Sequence, residues 1–241
     1  MASKVCEGGE AGKGWSNTGI AALLLAAGES TRMGELKALL PWRGKTLLEH
    51  QVAALTSAGV SRTVVVLGHQ SERLDTLLNR RAGVLCVYNP DYRQGKTTSI
   101  KAGLRVLRQI PPNPPLKKGG EGGIHHEAAI LVLNVDQPRS AHTIRRIMEL
   151  HRVGSQRSKG GLQTRPYLIT VPTYQGKGGH PIILSTSLMA ELMDISEDNQ
   201  GLKAVARRHE GEAQRVEIDA SEILLDLNTP QDYQKALELL S

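Results

Sequence analysis

The chain has 241 residues, a formal net charge of +6, two cysteines and no Phe, and only 3% of its residues are aromatic. That length suits one α/β domain with a proper core, or two small ones. The composition argues against a disulfide-rich scaffold, a fibre or a membrane protein. The positive charge favours anionic partners, but few aromatic side chains could stack on bases, so we expect no nucleic-acid partner.

The sequence also indicates a cellular compartment. No apolar run approaches the roughly 18 residues that span a bilayer, and residues 1–14 lack the apolar segment of a secretory signal. Cys6 and Cys86 have neither metal-ligand nor redox-pair spacing. We therefore expect a cytoplasmic protein in a reducing compartment, with no membrane partner.

Short apolar runs that end at a turn residue predict buried parallel strands. They are Ile20–Ala27, Thr63–Leu67, Val84–Tyr88 and Ala129–Val135. Helical patterns alternate with them, over Thr46–Gly59, Ser71–Arg80, Thr97–Leu107 and Ser140–His151. The first of these helices has the capping-box pair Thr46 and Glu49. This alternation predicts a Rossmann-like, three-layer α/β/α fold with a mostly parallel sheet.

The second half of the chain is less regular. Strands are predicted over 167–171 and 182–184 and near 216–218, with a helical stretch reaching about residue 209 and a last helix ending at 240. Stretches near 110–127 and 154–165, rich in Gly and basic residues, read as flexible insertions. We predict a disordered tail over 1–18 and a single domain over 19–241.

Ligands of such sheets bind beyond the carboxyl ends of the strands. The loop after the first strand combines the flexible backbone of Gly28 and Gly34 with the Ser30 hydroxyl and the charges of Arg32 and Lys37. Successive amide groups and fixed positive charge suit a triphosphate. The alternative is an ordinary βα turn whose charges are solvated.

Asp136 directly follows the fourth predicted strand. A carboxylate at this place can hold Mg²⁺ against nucleotide phosphates. The alternative is a cap for the following helix, but Pro138 and Ser140 already supply a helix start. We therefore favour the metal role.

Two common nucleotide-binding motifs do not fit. The spacing from Gly28 is not G-x-G-x-x-G, which excludes the dinucleotide fingerprint. The sequence Gly95-Lys-Thr-Thr looks like the end of a P-loop, but that motif needs a Gly five residues earlier, where Pro90 stands.

Several motifs resemble, in order, those of the MobA-like nucleotidyltransferases. They are Leu25–Gly34 with Lys37, Asn89–Gly95 with Ser99, Asn134–Pro138, Gly179–Pro181 and Asp226–Pro230. The resemblance spans about residues 20–240 apart from the insertions, and it is strongest to the molybdenum cofactor cytidylyltransferases. It implies a fold of the nucleotide-diphospho-sugar transferase type.

The resemblance also implies an activity. Members transfer a nucleotide from a triphosphate to a phosphate acceptor and release pyrophosphate; here the reactants would be CTP and molybdopterin or its molybdenum-loaded form. A recipient molybdoenzyme would be a further partner. The alternatives are GTP as the donor, a sugar phosphate or another phosphorylated metabolite as the acceptor, and a non-catalytic protein that binds and delivers the cofactor.

Roles for individual residues follow from the same resemblance. Lys37, Arg32 and Asp136 would be catalytic. The nucleotide would contact Leu25, Ala26, Ala27, Gly28, Ser30, Gly34, Lys37, Gly95 and Ser99. Gly179 and His180 would meet the acceptor. Asp136 and Asn228, rather than Asp226, would hold Mg²⁺, with Mn²⁺ as the alternative. Ala27 stands where guanylyl-transferring relatives carry Gly, which favours cytosine, and Lys96 stands where relatives usually carry an apolar residue.

Overall fold

The computed structural model describes residues 5–7, 19–30, 33–78, 81–109, 129–156 and 167–240. Arg32, the insertion predicted near 110–127 and most of the predicted tail lie outside the described residues. Among the described residues, no helix is long and apolar enough to cross a membrane.

One large sheet runs through the described chain. Its strands are β1 (Val5–Glu7), β2 (Ile20–Ala26), β5 (Thr63–Leu67), β6 (Val84–Tyr88), β7 (Ala129–Asn134), β8 (Ile169–Tyr174), β9 (Lys177–Gly178), β10 (Ile182–Ser185) and β11 (Ala213–Glu217), while β3 (Pro41–Trp42) and β4 (Lys45–Thr46) form a separate hairpin. The order is β1-β6-β5-β2-β7-β10-β8-β11, with β9 paired to β8. The predicted mostly parallel sheet is confirmed, and β10 runs antiparallel to both of its neighbours.

The strand register aligns the carboxyl ends of the central strands. Leu25 of β2 lies opposite Val66 of β5 on one side and Asn134 of β7 on the other. Because parallel strands end at the same edge, the loops that follow β2 and β7 meet there.

Helices cover both faces of the sheet. They are α1 (Leu47–Ala58), α2 (Ser71–Leu78), α3 (Lys96–Gln109), α4 (Ala141–Gln156), α5 (Met189–Asp194), α6 (Leu202–Arg208) and α7 (Pro230–Leu240). Alternate residues of β2 face opposite ways: Leu24 packs in a core with α1, α2 and α4, whereas Leu23 packs in a core with α3, α5 and α6. A Cβ on Gly103 of α3 would overlap Leu23, so glycine lets that helix lie close to the sheet.

Local signals set the ends of α1. The Thr46 hydroxyl accepts a hydrogen bond from the Glu49 amide, and the Glu49 carboxylate accepts one from the Thr46 amide, so the predicted capping box is present. Gly59 ends the helix with φ +88°, a left-handed conformation that favours glycine.

The structure corrects several predicted boundaries. Helix α4 continues to Gln156 and takes in the start of the insertion predicted over 154–165. Within this last turn, a Cβ on Gly154 would overlap the Gln214 side chain, so the helix packs closely there. Strand β11 occupies 213–217 and not 216–218, and β8 continues to Tyr174. The helical stretch before residue 209 is broken between α5 and α6. Residues 5–7, placed in the predicted tail, pair with β6.

Candidate active site

A cleft of about 450 Å³ opens at the carboxyl edge of β2 and β7. Its walls are the loop after β2, the turn at 36–38, the start of α3, the loop after β7 and residues 226 and 228. The predicted site residues that line it are Leu25, Ala26, Ala27, Gly28, Ser30, Lys37, Gly95, Ser99, Asp136 and Asn228. The topology therefore brings most of the predicted nucleotide and metal residues together.

Lys37 joins three separate segments at the centre of this cleft. Its Nζ atom donates to Oδ2 of Asp136 at 2.8 Å and to Oδ1 of Asn228 at 3.0 Å. The side chains of Lys37 and Asp136 are only 12% and 20% exposed, so the pair is partly shielded from water. The Leu227 amide donates to the carbonyl oxygen of Asp136 at 2.9 Å, which holds the Asp136 and Asn228 segments together.

A hydrogen bond to the Ser30 side chain helps to hold the loop after β2. The amide of Lys37 donates to the Ser30 hydroxyl at 2.9 Å, and Ser30 itself has φ +57°. A Cβ on Gly28 would meet nothing within 4 Å, so the backbone there lies open to a ligand. Gly34 has φ +69° and is exposed, but it is not among the residues that line the cleft. Its contribution is to the shape of the loop.

The turn into α3 forms another part of the cleft lining. Gly95 has φ +121°, and a Cβ there would overlap the Glu197 side chain. The Glu197 carboxylate accepts a hydrogen bond from the Thr97 amide at 2.7 Å, which caps the first turn of α3. Gly95 is therefore required both by its backbone angle and by the close approach of Glu197.

The two predicted acceptor residues lie outside the cleft lining. Gly179 packs against the Ile223 carbonyl, and the His180 amide donates to that same oxygen at 3.0 Å. Burial lowers the pKa of His180 to about 4, with the charges of Lys96 and Arg139 acting in the same direction. His180 is thus neutral near pH 7. Its Nδ1 atom is buried and has no hydrogen-bond partner among the described residues.

The oxygen donors in the cleft fit a hard divalent cation. Asp136 and Asn228 direct one oxygen each at the same ammonium group, so the two oxygens converge. The described residues contain no group of three or more His, Cys, Asp or Glu side chains that could hold a metal. Mg²⁺ commonly takes one or two protein oxygens and completes its shell with phosphate and water, and this donor set meets that requirement.

Comparisons with known proteins identify the family of the chain. The model of the MobA-like NTP transferase domain matches residues 22–213. The chain belongs to this family. It is 26% identical over 216 residues to the molybdenum cofactor cytidylyltransferase of Escherichia coli K12, covering 90% of this chain and 94% of that protein. It is 28% identical over 193 residues to the nicotine blue oxidoreductase of Paenarthrobacter nicotinovorans, covering 78% and 82%.

Solved structures show the same fold. Rv0371c from Mycobacterium tuberculosis H37Rv superposes with a TM-score of 0.67 at 24% identity, over 91% of this chain and 98% of that one. Its complex with manganese superposes with a TM-score of 0.62. The fold is that of the nucleotide-diphospho-sugar transferases, as expected from the sequence.

Within the MobA-like site, Arg139 is a residue that the sequence analysis did not identify. It is 1% exposed, and its guanidinium donates to the backbone carbonyls of Pro138, His180 and Ile223 at 2.8 Å and of Leu225 at 3.1 Å. Burial lowers its pKa to about 10, so it stays charged near pH 7. It ties the Asp136 loop to the chain that leads to Asn228. Nothing in the sequence marks it except its place after Pro138.

The sequence analysis placed Asn89 in a motif without giving it a role of its own, and it preferred Asn228 to Asp226 as a metal ligand. The buried Asn89 amide donates to the hydroxyls of Thr98 and Ser99 at 2.9 and 3.0 Å and so holds the turn before α3. Asp226 lines the cleft near Asp136. Loss of water around Asp226, and then the charge of Asp136, raise its pKa.

Proposed function

We propose that this protein transfers CMP from CTP to the phosphate of a molybdopterin-type acceptor and releases pyrophosphate. The observation that carries the proposal is the convergence of the Lys37 ammonium, the Asp136 carboxylate and the Asn228 amide beside the open backbone of the loop after β2. The near full-length similarity to the Escherichia coli molybdenum cofactor cytidylyltransferase supports the choice of acceptor. The product would pass to a recipient molybdoenzyme.

The chemistry needs no general base. The acceptor phosphate is already an anion near pH 7; one of its oxygens attacks the α-phosphorus of CTP, and the bond from that phosphorus to the bridging oxygen breaks, so that pyrophosphate leaves. The barrier arises from bringing two anions into line and from charge that develops on pyrophosphate. Positioned cations and backbone amides lower such a barrier.

The positions of the described side chains and the sequence motifs support a role for each residue. Lys37, at the centre of the cleft, would neutralise the triphosphate, and the backbone of Gly28 and Ser30 would contact its oxygens. Arg32, on the same loop, would add a second charge. Asp136 and Asn228 would hold Mg²⁺, with Mn²⁺ as the alternative. The bound ion supplies further positive charge to the phosphates.

Ala27 supports cytosine as the base. It is buried, lines the cleft, and has its carbonyl oxygen held by the His69 amide at 3.1 Å, so its methyl group cannot easily move away. A methyl group takes space that a purine would need. One methyl group changes the discrimination between two substrates by about 1–3 kcal/mol. GTP is therefore the donor whose binding should be compared with that of CTP.

A thermal-shift panel of CTP, GTP, ATP and UTP with Mg²⁺ tests the nucleotide. We expect selective stabilisation by CTP, and selective stabilisation by GTP would overturn the base assignment. Pyrophosphate release is then measured with CTP and either molybdopterin or a sugar phosphate. Release with the sugar phosphate but not with molybdopterin would overturn the assignment of the acceptor. No response to any nucleotide would favour a non-catalytic protein that binds and delivers the cofactor.

A further inference from the structure

Lys96 differs from Lys37, the other lysine that lines the cleft, in having no hydrogen-bond or ion-pair partner for its side chain among the described residues. It is the first residue of α3, it lines the cleft, and its side chain is exposed there. Lys37 is engaged by Asp136 and Asn228, whereas no described residue forms an ion pair or a side-chain hydrogen bond with the Lys96 ammonium. Lys96 is therefore a cation of the cleft that is available to a ligand.

Lys96 lines the same cleft as the carboxylates of Asp136 and Asp226. Loss of water around its ammonium group lowers its pKa, while the carboxylates of Asp136, Asp226 and Glu197 raise it. Its charge also helps to lower the pKa of His180. Lys96 thus adds positive charge to the part of the cleft that holds the metal-side carboxylates.

A second lysine approaches from α6. A Cβ on Gly201 would lie 3.0 Å from Cγ2 of Thr97, so the start of α6 packs against the start of α3. Lys203 follows two residues later, is exposed, and its charge lowers the pKa of Lys96. The two positive charges disfavour each other, and an anion bound near them offsets that repulsion.

We propose that Lys96, with Lys203 beside it, forms an anion subsite that takes the phosphate of the acceptor. This inference rests on the proposed transfer, in which the attacking phosphate lies beside the α-phosphate of CTP. In that transfer Lys37 and the loop after β2 would neutralise the triphosphate. The attacking anion needs a cation of its own, because two phosphates repel unless each is neutralised.

The test uses inorganic phosphate as the probe. The full chain is saturated with Mg²⁺ and a CTP analogue that has a methylene group between its α- and β-phosphates, and phosphate is then titrated by calorimetry. We expect Lys96→Met to weaken phosphate binding about tenfold or more, and Lys203→Met to weaken it about threefold. Lys101→Met, the same substitution on α3 outside the cleft lining, should leave phosphate binding unchanged.

Further measurements distinguish a failure of the anion subsite from a failure of the proposed CMP transfer. Lys96→Arg should retain phosphate binding, and thermal melting confirms that each variant is folded. A weaker affinity for the CTP analogue, with phosphate affinity unchanged, would assign Lys96 to the nucleotide and overturn the subsite. Equal phosphate affinities of wild type and Lys96→Met, or no phosphate binding to the wild type, would also overturn it while leaving the transfer standing. If the wild type binds no CTP analogue, the proposed function is overturned. Phosphate is then titrated alone onto the same variants, and weaker binding to Lys96→Met than to the wild type still supports the anion subsite.

Discussion

The Nζ atom of Lys37 lies 2.8 Å from Oδ2 of Asp136, although 99 positions separate the two residues in the chain. The same ammonium reaches Asn228, a further segment away. The parallel register of β2 and β7 makes this possible, because it brings the loops after the two strands to one edge of the sheet. The pairing of the Lys37 and Asp136 charges therefore depends on contacts between distant parts of the chain.

Asp136→Asn should reduce turnover strongly while leaving the fold intact. The substitution removes the charge opposite Lys37 but keeps the shape and the backbone bond between Asp136 and Leu227. We expect turnover to fall about 10²–10³-fold, as when one electrostatic group of a site is lost, measured as pyrophosphate release. Asp91→Asn changes an exposed carboxylate outside the cleft lining and should have little effect. Full activity of Asp136→Asn would show that the metal assignment is wrong.

Arg139→Met should destabilise the protein. The substitution removes the donor to the His180 carbonyl and one of the two donors to the Ile223 carbonyl, which keeps the His180 amide. Loss of a buried hydrogen-bond network of this kind costs about 3–5 kcal/mol, measured by urea denaturation. Arg146→Met, on an exposed face of α4 with only a 3.7 Å pair to Glu149, should cost less than about 1 kcal/mol. Equal losses in the two variants would contradict the assigned role.

Gly95→Ala should weaken nucleotide binding. A Cβ at Gly95 would displace Glu197 from the Thr97 amide, and the φ of +121° disfavours any side chain. We expect a loss of about 1–3 kcal/mol in stability from the strain and a weaker affinity for CTP, measured by calorimetry. Gly44→Ala provides the matched control, since Gly44 also has a positive φ of +76° but no atom near a Cβ. That variant should lose some stability and keep its CTP affinity.

Stability should fall as the pH drops from 6.5 towards 4. Burial lowers the pKa of His151 and of His180 from 6.5 to about 4. In this range the unfolded chain binds protons that the folded protein does not, so the contribution of both imidazoles is complete above pH 6.5 and is lost towards pH 4. His151→Gln should flatten the profile of melting temperature against pH. The same substitution at His142, which is exposed on the same helix, should not, and an unchanged slope in His151→Gln would contradict this origin.

The sequence by itself determined those parts of the molecule whose cause is local. Continuous apolar runs predicted β2, β5, β6 and β7, since a strand covered on both faces has no polar side to show. Thr46 and Glu49 predicted the start of α1 because a capping box is made within one turn. Ordered motifs predicted a site at the loops around Gly28, Gly95 and Asp136, and these residues line one cleft because loops at the carboxyl edge of a parallel sheet lie close together.

Only the tertiary structure decided the features that depend on which segments meet. The antiparallel insertion of β10 between β7 and β8 places the His180 turn behind the cleft and not in its lining. Gly154 belongs to α4 and packs closely against Gln214, although the composition of this stretch resembles a loop. Arg139 donates hydrogen bonds to backbone carbonyl groups up to 86 positions away in the chain. Long-range packing of this kind leaves no periodicity or spacing in the sequence, since its partners are selected by the folded backbone.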